Sequence, residues 1–139
     1  MILIDTSGLL SALDESQRYH PECAPVLGET SPPLLLSPFV LAELDYLLMR
    51  HVGHHAQSAL LDEVARGAYQ LEAFGAADVA RAKAVIDRYP DLEIGLADAS
   101  IVVLAERHGV TEVLTLDQRH FRTMRIGPRK RFKVLPFDR

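Results

Sequence analysis

Short, continuously apolar runs alternate with longer segments of helical periodicity along this chain. Residues 2–4 and 34–36 are apolar without interruption, which is typical of strands buried on both faces. Ser37-Pro38 is a preferred helix start, and Gly53 ends the helix that follows. Because strands and helices alternate, we expect an α/β fold with one parallel sheet covered by helices. The expected strands are 2–4, 34–36, 69–73, 113–116 and 132–135, and the expected helices are a short one after residue 8 and those at 20–28, 38–52, 54–66, 76–89 and 96–108.

Acidic and hydroxyl residues stand where two of these strands end. Asp5, Thr6 and Ser7 follow the first strand, and Asp117 follows the strand that contains Thr115. Ligands of parallel α/β sheets bind outside the carboxyl ends of the strands, so both carboxylates are candidates for a functional edge. The alternative is ordinary helix capping, for which Asp, Ser and Thr are all suited.

Two predicted helices carry further carboxylates among apolar neighbours. In helix 38–52, Glu43 and Asp45 each have apolar residues three or four positions away, so spacing does not choose which of them faces the core. Asp98 lies in the first turn of helix 96–108, on the face of apolar residues three, four and seven positions later. An acid in a first turn also suits the helix dipole, which is the alternative for Asp98. A carboxylate that is buried needs a partner, a proton or a metal ion.

Composition adds the size of the domain and an uneven charge. The 139 residues are 48% hydrophobic, which is enough for a single domain, 1–139, with its own core. The formal net charge is −4, but residues 119–139 hold eight basic residues and one acidic residue, against seven basic and eighteen acidic residues before them. A basic end on an acidic body fits a phosphate-bearing partner, and equally well a solvated surface tail.

The cysteines and histidines of the chain bear on its cellular compartment and on whether it has a zinc site. Cys23 is the only cysteine, so we expect no intrachain disulfide and a reducing, cytoplasmic location. The apolar start is interrupted after four residues and no apolar run reaches ~18 residues, so we expect neither a signal peptide nor a membrane span. His51, His54 and His55 have a spacing that suits zinc, but Gly53 interrupts it, and solvated helix-end histidines are the favoured interpretation.

Four motifs, in order along the chain, carry a family resemblance. They are Ile4-Asp-Thr-Ser7, Ala42-Glu-Leu44 after the Ser-Pro helix start, Leu96-Ala-Asp-Ala-Ser-Ile-Val102, and Leu114-Thr-Leu-Asp-Gln-Arg-His-Phe121. Together they resemble the PIN-domain ribonucleases over essentially the whole chain, and at this length most closely the VapC-type toxins of toxin–antitoxin pairs. The resemblance implies a three-layer α/β/α sandwich around a mainly parallel sheet of four or five strands.

The resemblance also implies roles for particular residues. Asp5, Glu43, Asp98 and Asp117 correspond to an acidic quartet around Mg²⁺, for which Mn²⁺ can substitute, and Glu43 rather than Asp45 matches the motif. Segment 93–97 lacks the additional aspartate that some relatives carry, so the number of metal ions stays open. The polar positions that match residues orienting the quartet are Thr6, Ser7 and Thr115.

Elementary electrostatics supports a cation among these carboxylates. Two carboxylates ~4 Å apart repel by about 4 kcal/mol at an effective dielectric near 20, which raises their pKa values unless a cation neutralises them. Oxygen ligands without Cys or His favour a hard ion such as Mg²⁺ or Mn²⁺, which activates water for phosphodiester hydrolysis. Arg119 and His120, next to Asp117, and Arg129 and Arg131, in the basic end, are the candidates for holding RNA.

The function that the resemblance implies is that of a toxin. Such a protein is an endoribonuclease that leaves 5′-phosphate and 3′-hydroxyl ends and inhibits translation, and its implied partners are RNA, a cognate antitoxin, a second copy in a homodimer and a higher toxin–antitoxin assembly. Two other classes stay open. One is a non-catalytic or RNA-processing PIN-like module without a toxin role, and the other is an aspartate-dependent phosphatase, which needs a second aspartate where Ser7 stands.

Overall fold

The computed structural model describes all 139 residues as an alternation of short strands and helices. None of the helices combines the length and the hydropathy that crossing a membrane requires. In chain order the elements are β1 (Ile2–Ile4), α1 (Thr6–Leu13), α2 (His20–Glu29), β2 (Leu34–Leu36), α3 (Pro38–His51), α4 (His54–Ala65), β3 (Gln70–Leu71), α5 (Ala76–Arg88), a 3₁₀ turn (Pro90–Leu92), α6 (Leu96–His108), β4 (Glu112–Leu114), α7 (Gln118–Thr123), β5 (Arg125–Ile126), β6 (Lys130–Arg131) and β7 (Lys133–Leu135).

Five parallel strands form the central sheet in the order β3-β2-β1-β4-β7. The middle strand β1 pairs on one side with β2, where Ile2 lies opposite Leu34, and on the other with β4, where Leu3 lies opposite Val113. The chain moves outwards from β1 to β2 and β3, and then crosses back to β4. Because parallel crossovers are right-handed, this reversal puts α1–α4 on one face of the sheet and α5–α6 on the other. The three-layer α/β/α arrangement confirms the predicted fold class.

The structure differs from the predicted elements chiefly at the basic end of the chain. The sequence pattern does not predict α7 or the antiparallel pair of β5 and β6, because a six-residue helix and two-residue strands are too short to carry a periodicity. The predicted strand 69–73 is reduced to β3, and the strand predicted at 113–116 is β4, which ends at Leu114. The first helix begins earlier than predicted, directly after Asp5, whose carbonyl accepts the N–H of Leu9.

The core is one cluster of 33 buried apolar residues, to which β1 and α6 contribute heavily. All three residues of β1 are at most 1% exposed, and α6 is buried at every position from 99 to 105. Gly8 lets α1 approach the sheet, because a Cβ at this position would lie 2.3 Å from the carbonyl oxygen of Leu114. The first turn of α1 therefore sits against the end of β4, where the acidic residues gather.

Candidate active site

The carboxyl ends of β1 and β4 form the edge of the sheet at which the acidic residues meet. These neighbouring strands connect in opposite directions, β1 towards β2 and β4 towards β7. A point where the connections diverge leaves a crevice above the sheet, and ligands of open α/β sheets bind there. Asp5 follows β1, Asp117 follows β4 and Asp98 lies in the first turn of α6.

Asp5 is a buried carboxylate held by two hydroxyl groups. The residue is 5% exposed, and its Oδ2 accepts hydrogen bonds from Thr115 Oγ1 at 2.6 Å and from Ser7 Oγ at 3.1 Å. Asp5 occupies the N-cap position of α1, yet its side chain makes no capping hydrogen bond. Helix capping therefore does not explain why an acid stands at this position.

Backbone N–H groups fix the direction of both hydroxyl bonds. The N–H of Leu116 donates to Ser7 Oγ at 2.9 Å, and the N–H of Asp117 donates to Thr115 Oγ1 at 2.9 Å. Each hydroxyl thus accepts from the backbone and has its own proton left for Asp5. Both bonds end at Oδ2, which leaves Oδ1 of Asp5 without a side-chain donor.

Helix α3 brings Glu43, rather than Asp45, to this edge. Thr6 Oγ1 donates to Glu43 Oε1 at 2.7 Å, whereas Asp45 Oδ1 accepts from Gln57 Nε2 of α4 at 2.8 Å. The helical spacing suggested that one of the two acids is buried among apolar residues, but Glu43 is exposed and Asp45 is half-buried. A hydroxyl of the first turn of α1, and not burial, holds Glu43 in place.

Two buried serines join the beginnings of α3 and α6. Ser37 is the predicted start of α3, whereas its contact with Ser100 was not predicted. Ser37 Oγ caps α3 by accepting the N–H of Phe39, and it lies 2.7 Å from Ser100 Oγ. Because Ser100 gives its proton to the carbonyl of Ala97, the hydroxyl of Ser37 donates to Ser100. The hydrogen bond fixes the two helices that carry the helical acids of the site relative to each other.

Asp98 and Asp117 meet at the side chain of His120, a contact that the sequence analysis did not anticipate. His120 Nδ1 lies 2.7 Å from Asp117 Oδ2 and 3.3 Å from Asp98 Oδ2. Asp117 Oδ1 also caps α7 by accepting the N–H of His120 at 3.0 Å, and Asp98 Oδ2 accepts a long bond of 3.4 Å from the N–H of Gly95. Helix capping therefore engages both acids without drawing them away from His120.

Burial is the main electrostatic influence on the acids of this edge. It raises the pKa of Asp5 to about 6, against the opposing effect of the hydroxyl hydrogen bonds and with a smaller contribution from the charge of Asp98. Burial also raises the pKa of Asp98, while His120 lowers it and the neighbouring carboxylates add to it. Mutual repulsion, which the sequence analysis expected as the cause, is present but weaker than burial.

The donor set at this edge fits a divalent cation. One ligand atom each from Asp98, Asp117 and His120 lies within 4.8 Å of the others. His120 Nδ1 is buried and has no hydrogen-bond partner, because the nearby carboxylate oxygens lie off its N–H direction. Carboxylate oxygens are the ligands that Mg²⁺ and Mn²⁺ prefer.

The three histidines with zinc-like spacing lie apart from this site. His51, His54 and His55 are all exposed around the junction of α3 and α4. They do not bring their ring nitrogens together into a ligand cluster. Their placement agrees with the favoured interpretation as solvated helix-end histidines.

Five of the eight basic residues at the end of the chain have no carboxylate partner. Arg122, Lys133 and Arg139 form ion pairs with Asp or Glu, and Arg125 donates to carbonyl groups at the end of α7. The exposed residues without such a partner are Arg119, Arg129, Lys130 and Arg131. These four are the cations that remain available to a phosphate backbone.

The hairpin of β5 and β6 is fastened to the helices α5 and α6. Arg88 donates to the carbonyl groups of Gly127 and Pro128, and the N–H of Gly127 donates to Glu106 Oε1 at 3.0 Å. Glu106 lies eight residues beyond Asp98, which is about 12 Å along a helix. The hairpin that carries Arg129 and Arg131 is thus attached to α6 near the C-terminal end of this helix, whereas Arg119 lies on α7 next to His120.

The sequence model of the PIN domain matches residues 2–126. The chain belongs to the PIN-domain family. It is 42% identical over 135 residues to Ribonuclease VapC26 of Mycobacterium tuberculosis (strain ATCC 25618 / H37Rv), covering 97% of this chain and 100% of that protein.

Two solved structures share the PIN fold of this chain. VapC20 of Mycobacterium tuberculosis, described as a toxin that cleaves the sarcin–ricin loop, matches with a TM-score of 0.80 and 22% identity over 86% of this chain and 92% of that one. FitAcB from Neisseria gonorrhoeae matches with a TM-score of 0.59 and 22% identity over 87% and 91% of the two chains. At these identities the comparison shows the fold alone.

Proposed function

We propose that this PIN-domain protein is a metal-dependent endoribonuclease and the toxin of a toxin–antitoxin pair. The observation that carries the proposal is the convergence of acids from separate elements on one crevice of the sheet, Asp5 after β1, Asp98 on α6 and Asp117 after β4. The 42% identity to a ribonuclease over nearly the whole chain supports the same reaction. The phosphatase alternative has no support here, because Ser7 serves as a hydrogen-bond donor to Asp5.

Asp5, Glu43, Asp98 and Asp117 would hold Mg²⁺, with Mn²⁺ as a substitute. The bound ion supplies a Lewis acid that lowers the pKa of water and stabilises the leaving oxygen of the phosphodiester. The protein keeps Oδ1 of Asp5 free of side-chain donors by directing the hydroxyls of its neighbours to Oδ2. In the same way Thr6 orients Glu43 towards the crevice.

The RNA strand would be held by the unpaired cations of the basic end. Arg119, on α7 next to His120, and Arg129 and Arg131, in the hairpin, are exposed and have no carboxylate partner. His120 belongs to this group only through its second ring nitrogen, because Nδ1 faces the acids. Phosphate contacts of this kind give affinity without sequence specificity.

The antitoxin would bind in the apolar groove between α1, α3 and α4. This groove, of about 380 Å³, is lined by Leu13, Leu48, Val52, Ala56, Ala59 and Leu60, and its rim carries Asp14, Glu15 and Glu63. An amphipathic helix with apolar anchors and basic flanks matches such a surface. We further propose that the toxin acts in the cytoplasm as a homodimer within a larger toxin–antitoxin assembly.

The decisive experiment removes the charge of single acids and measures RNA cleavage. Asp5→Asn and Asp98→Asn should each lower the cleavage of a labelled RNA in Mg²⁺ or Mn²⁺ by a factor of at least ~100, as loss of a main electrostatic contribution does, with an unchanged far-UV circular dichroism spectrum. Asp62→Asn, an exposed acid on α4, is the control and should keep full activity. Cleavage at the parental rate by both variants, in preparations shown to be free of other nucleases, would exclude the proposed reaction.

A further inference from the structure

The side chain of His120 is the one nitrogen donor at the acidic edge. Its Nδ1 lies 2.7 Å from Asp117 Oδ2 and 3.3 Å from Asp98 Oδ2, is buried, and has no hydrogen-bond partner. A histidine that served only to pair with these acids would direct an N–H at one of their oxygens. Here both oxygens are close to Nδ1 but neither has hydrogen-bond geometry with it, so these contacts are not ordinary hydrogen bonds.

The spacing of these atoms is the spacing of ligands that share one ion. In an octahedral site with bonds of ~2.1 Å, neighbouring ligand atoms are ~3.0 Å apart. The two distances from His120 Nδ1 lie on either side of that value. Ligand atoms around a shared ion lie close together without forming hydrogen bonds to one another, because each directs a lone pair at the ion.

Helix α7 fixes the orientation of two of these side chains. Asp117 Oδ1 accepts the N–H of His120 and caps the helix, which leaves Oδ2 of the same carboxylate beside the imidazole ring. The first turn of α7 thus holds Asp117 Oδ2 and His120 Nδ1 next to each other, in positions where both can bind one ion. The arrangement needs no rearrangement of the helix when an ion enters.

We propose that His120 Nδ1 is a ligand of the catalytic metal ion, beside Asp98 and Asp117, and that it makes the site selective for Mn²⁺ over Mg²⁺. The inference rests on the proposed function, because it concerns the ion at the same acidic edge. Imidazole nitrogen suits first-row transition ions, whereas Mg²⁺ prefers oxygen and retains several waters. A site made of carboxylates alone would lack this basis for discrimination.

A different role for His120 predicts the opposite change in affinity. If the imidazolium were only a counter-ion of Asp98 and Asp117 that competes with the metal, removing it would strengthen Mn²⁺ binding. If Nδ1 is a ligand, removing it weakens Mn²⁺ binding and leaves Mg²⁺ binding nearly unchanged. The sign of the change in Mn²⁺ affinity therefore separates the two roles.

The test combines pulsed electron paramagnetic resonance with calorimetry on the full chain. With one equivalent of Mn²⁺ and ¹⁵N-labelled histidine, electron spin-echo envelope modulation should show coupling to a directly bound ¹⁵N nucleus in the parent protein. The coupling should disappear in His120→Gln and persist in His54→Gln, which changes an exposed histidine on α4. By calorimetry, His120→Gln should lose about 10- to 100-fold in Mn²⁺ affinity and less than ~3-fold in Mg²⁺ affinity.

The outcomes distinguish a failure of this assignment from a failure of the proposed metal site. An unchanged ¹⁵N coupling in His120→Gln, or a rise in its Mn²⁺ affinity, would overturn the role of His120 as ligand. Asp98→Asn is measured in parallel, and loss of Mn²⁺ affinity in this variant tests the metal site itself. If Asp98→Asn binds Mn²⁺ as the parent does, both the site and the assignment of His120 fail, whereas failure of His120→Gln alone leaves the proposed function intact.

Discussion

Asp5→Asn should stabilise the metal-free protein by an amount that depends on pH. Burial raises the pKa of the Asp5 carboxyl from 3.8 to about 6, so above pH 6 the folded protein holds a charge that the unfolded chain carries at less cost. At 1.36 kcal/mol per unit, this shift costs about 3 kcal/mol of folding free energy at pH 7.5. Asn lacks the charge but keeps an oxygen that accepts from Thr115 and Ser7, so the variant should recover much of this cost.

The direction of this pH dependence follows from the number of protons that Asp5 binds in the folded and unfolded states. Between pH 6 and pH 3.8 the folded state binds more protons at Asp5 than the unfolded state, so the parent gains stability as the pH falls through this window. The advantage of Asp5→Asn should therefore shrink from at most about 3 kcal/mol at pH 7.5 to at most about 1 kcal/mol at pH 4.5.

Urea denaturation with a chelator at these two pH values measures the difference. Asp62→Asn, which changes an exposed acid on another helix, provides the matched control and should shift stability by less than ~0.5 kcal/mol at either pH. The reasoning is refuted if Asp5→Asn is no more stable than the parent at pH 7.5, or if its advantage is the same at pH 4.5. Added Mn²⁺ should reverse the order at neutral pH, because the ion binds the folded parent with the full set of carboxylates.

Three further changes test how the structure builds the site. Gly8→Ala would push a methyl group into the backbone of β4, so it should cost about 1–3 kcal/mol of unfolding free energy, and a loss below ~0.5 kcal/mol in urea melts would contradict the close approach. Thr6→Val removes the hydroxyl that holds Glu43 of α3, so the Mn²⁺ affinity measured by calorimetry should fall, while the free energy of unfolding changes by less than ~1 kcal/mol. An unchanged Mn²⁺ affinity would show that Thr6 does not position Glu43. Reversing the charges of Arg129 and Arg131 should reduce the slope of log RNA affinity against log salt by about 0.7 per lost contact. The control Arg50→Glu, on α3, should leave the slope unchanged. An unaltered slope in the double variant would mean that the hairpin is a solvated surface without RNA contacts.

The sequence carries enough information for the fold and for the edge at which the acids meet. Apolar runs mark β1, β2 and β4, and in a parallel sheet the residues that follow such runs share one edge. Asp5 and Asp117 can be placed together on that ground alone. Both faces of β1 are buried, as the near-zero exposure of Ile2 and Leu3 shows, which is why this strand has an uninterrupted apolar pattern.

Side-chain direction is what the sequence does not contain. Glu43 and Asp45 have similar apolar neighbours along their helix, so helical spacing does not separate them. The motif resemblance selects Glu43, and in the folded chain the Thr6 hydroxyl binds it. His120 follows Asp117 by three residues, a spacing that places two side chains on one face of a helix. That spacing was an available signal, but α7 is too short for its periodicity to be recognised. The contact of His120 with Asp98 could therefore not be predicted from periodicity.

The hydrogen bonds around Asp5 also determine which substitutions can test its role. The backbone N–H groups of Leu116 and Asp117 donate to the hydroxyl oxygens of Ser7 and Thr115, and both hydroxyl protons are directed at Oδ2 of Asp5. Asp5→Ala would leave at least one of these hydroxyl protons without an acceptor, because the two hydroxyls, 3.3 Å apart, can satisfy only one proton between themselves. The loss would cost about 1–3 kcal/mol, and the substitution would also open a cavity. A loss of activity in Asp5→Ala could therefore come from displacement of the end of β4 or from loss of the charge, and the variant would not separate these two causes. Asn supplies the acceptor and removes only the charge, so at this position Asn, and not Ala, separates chemistry from folding.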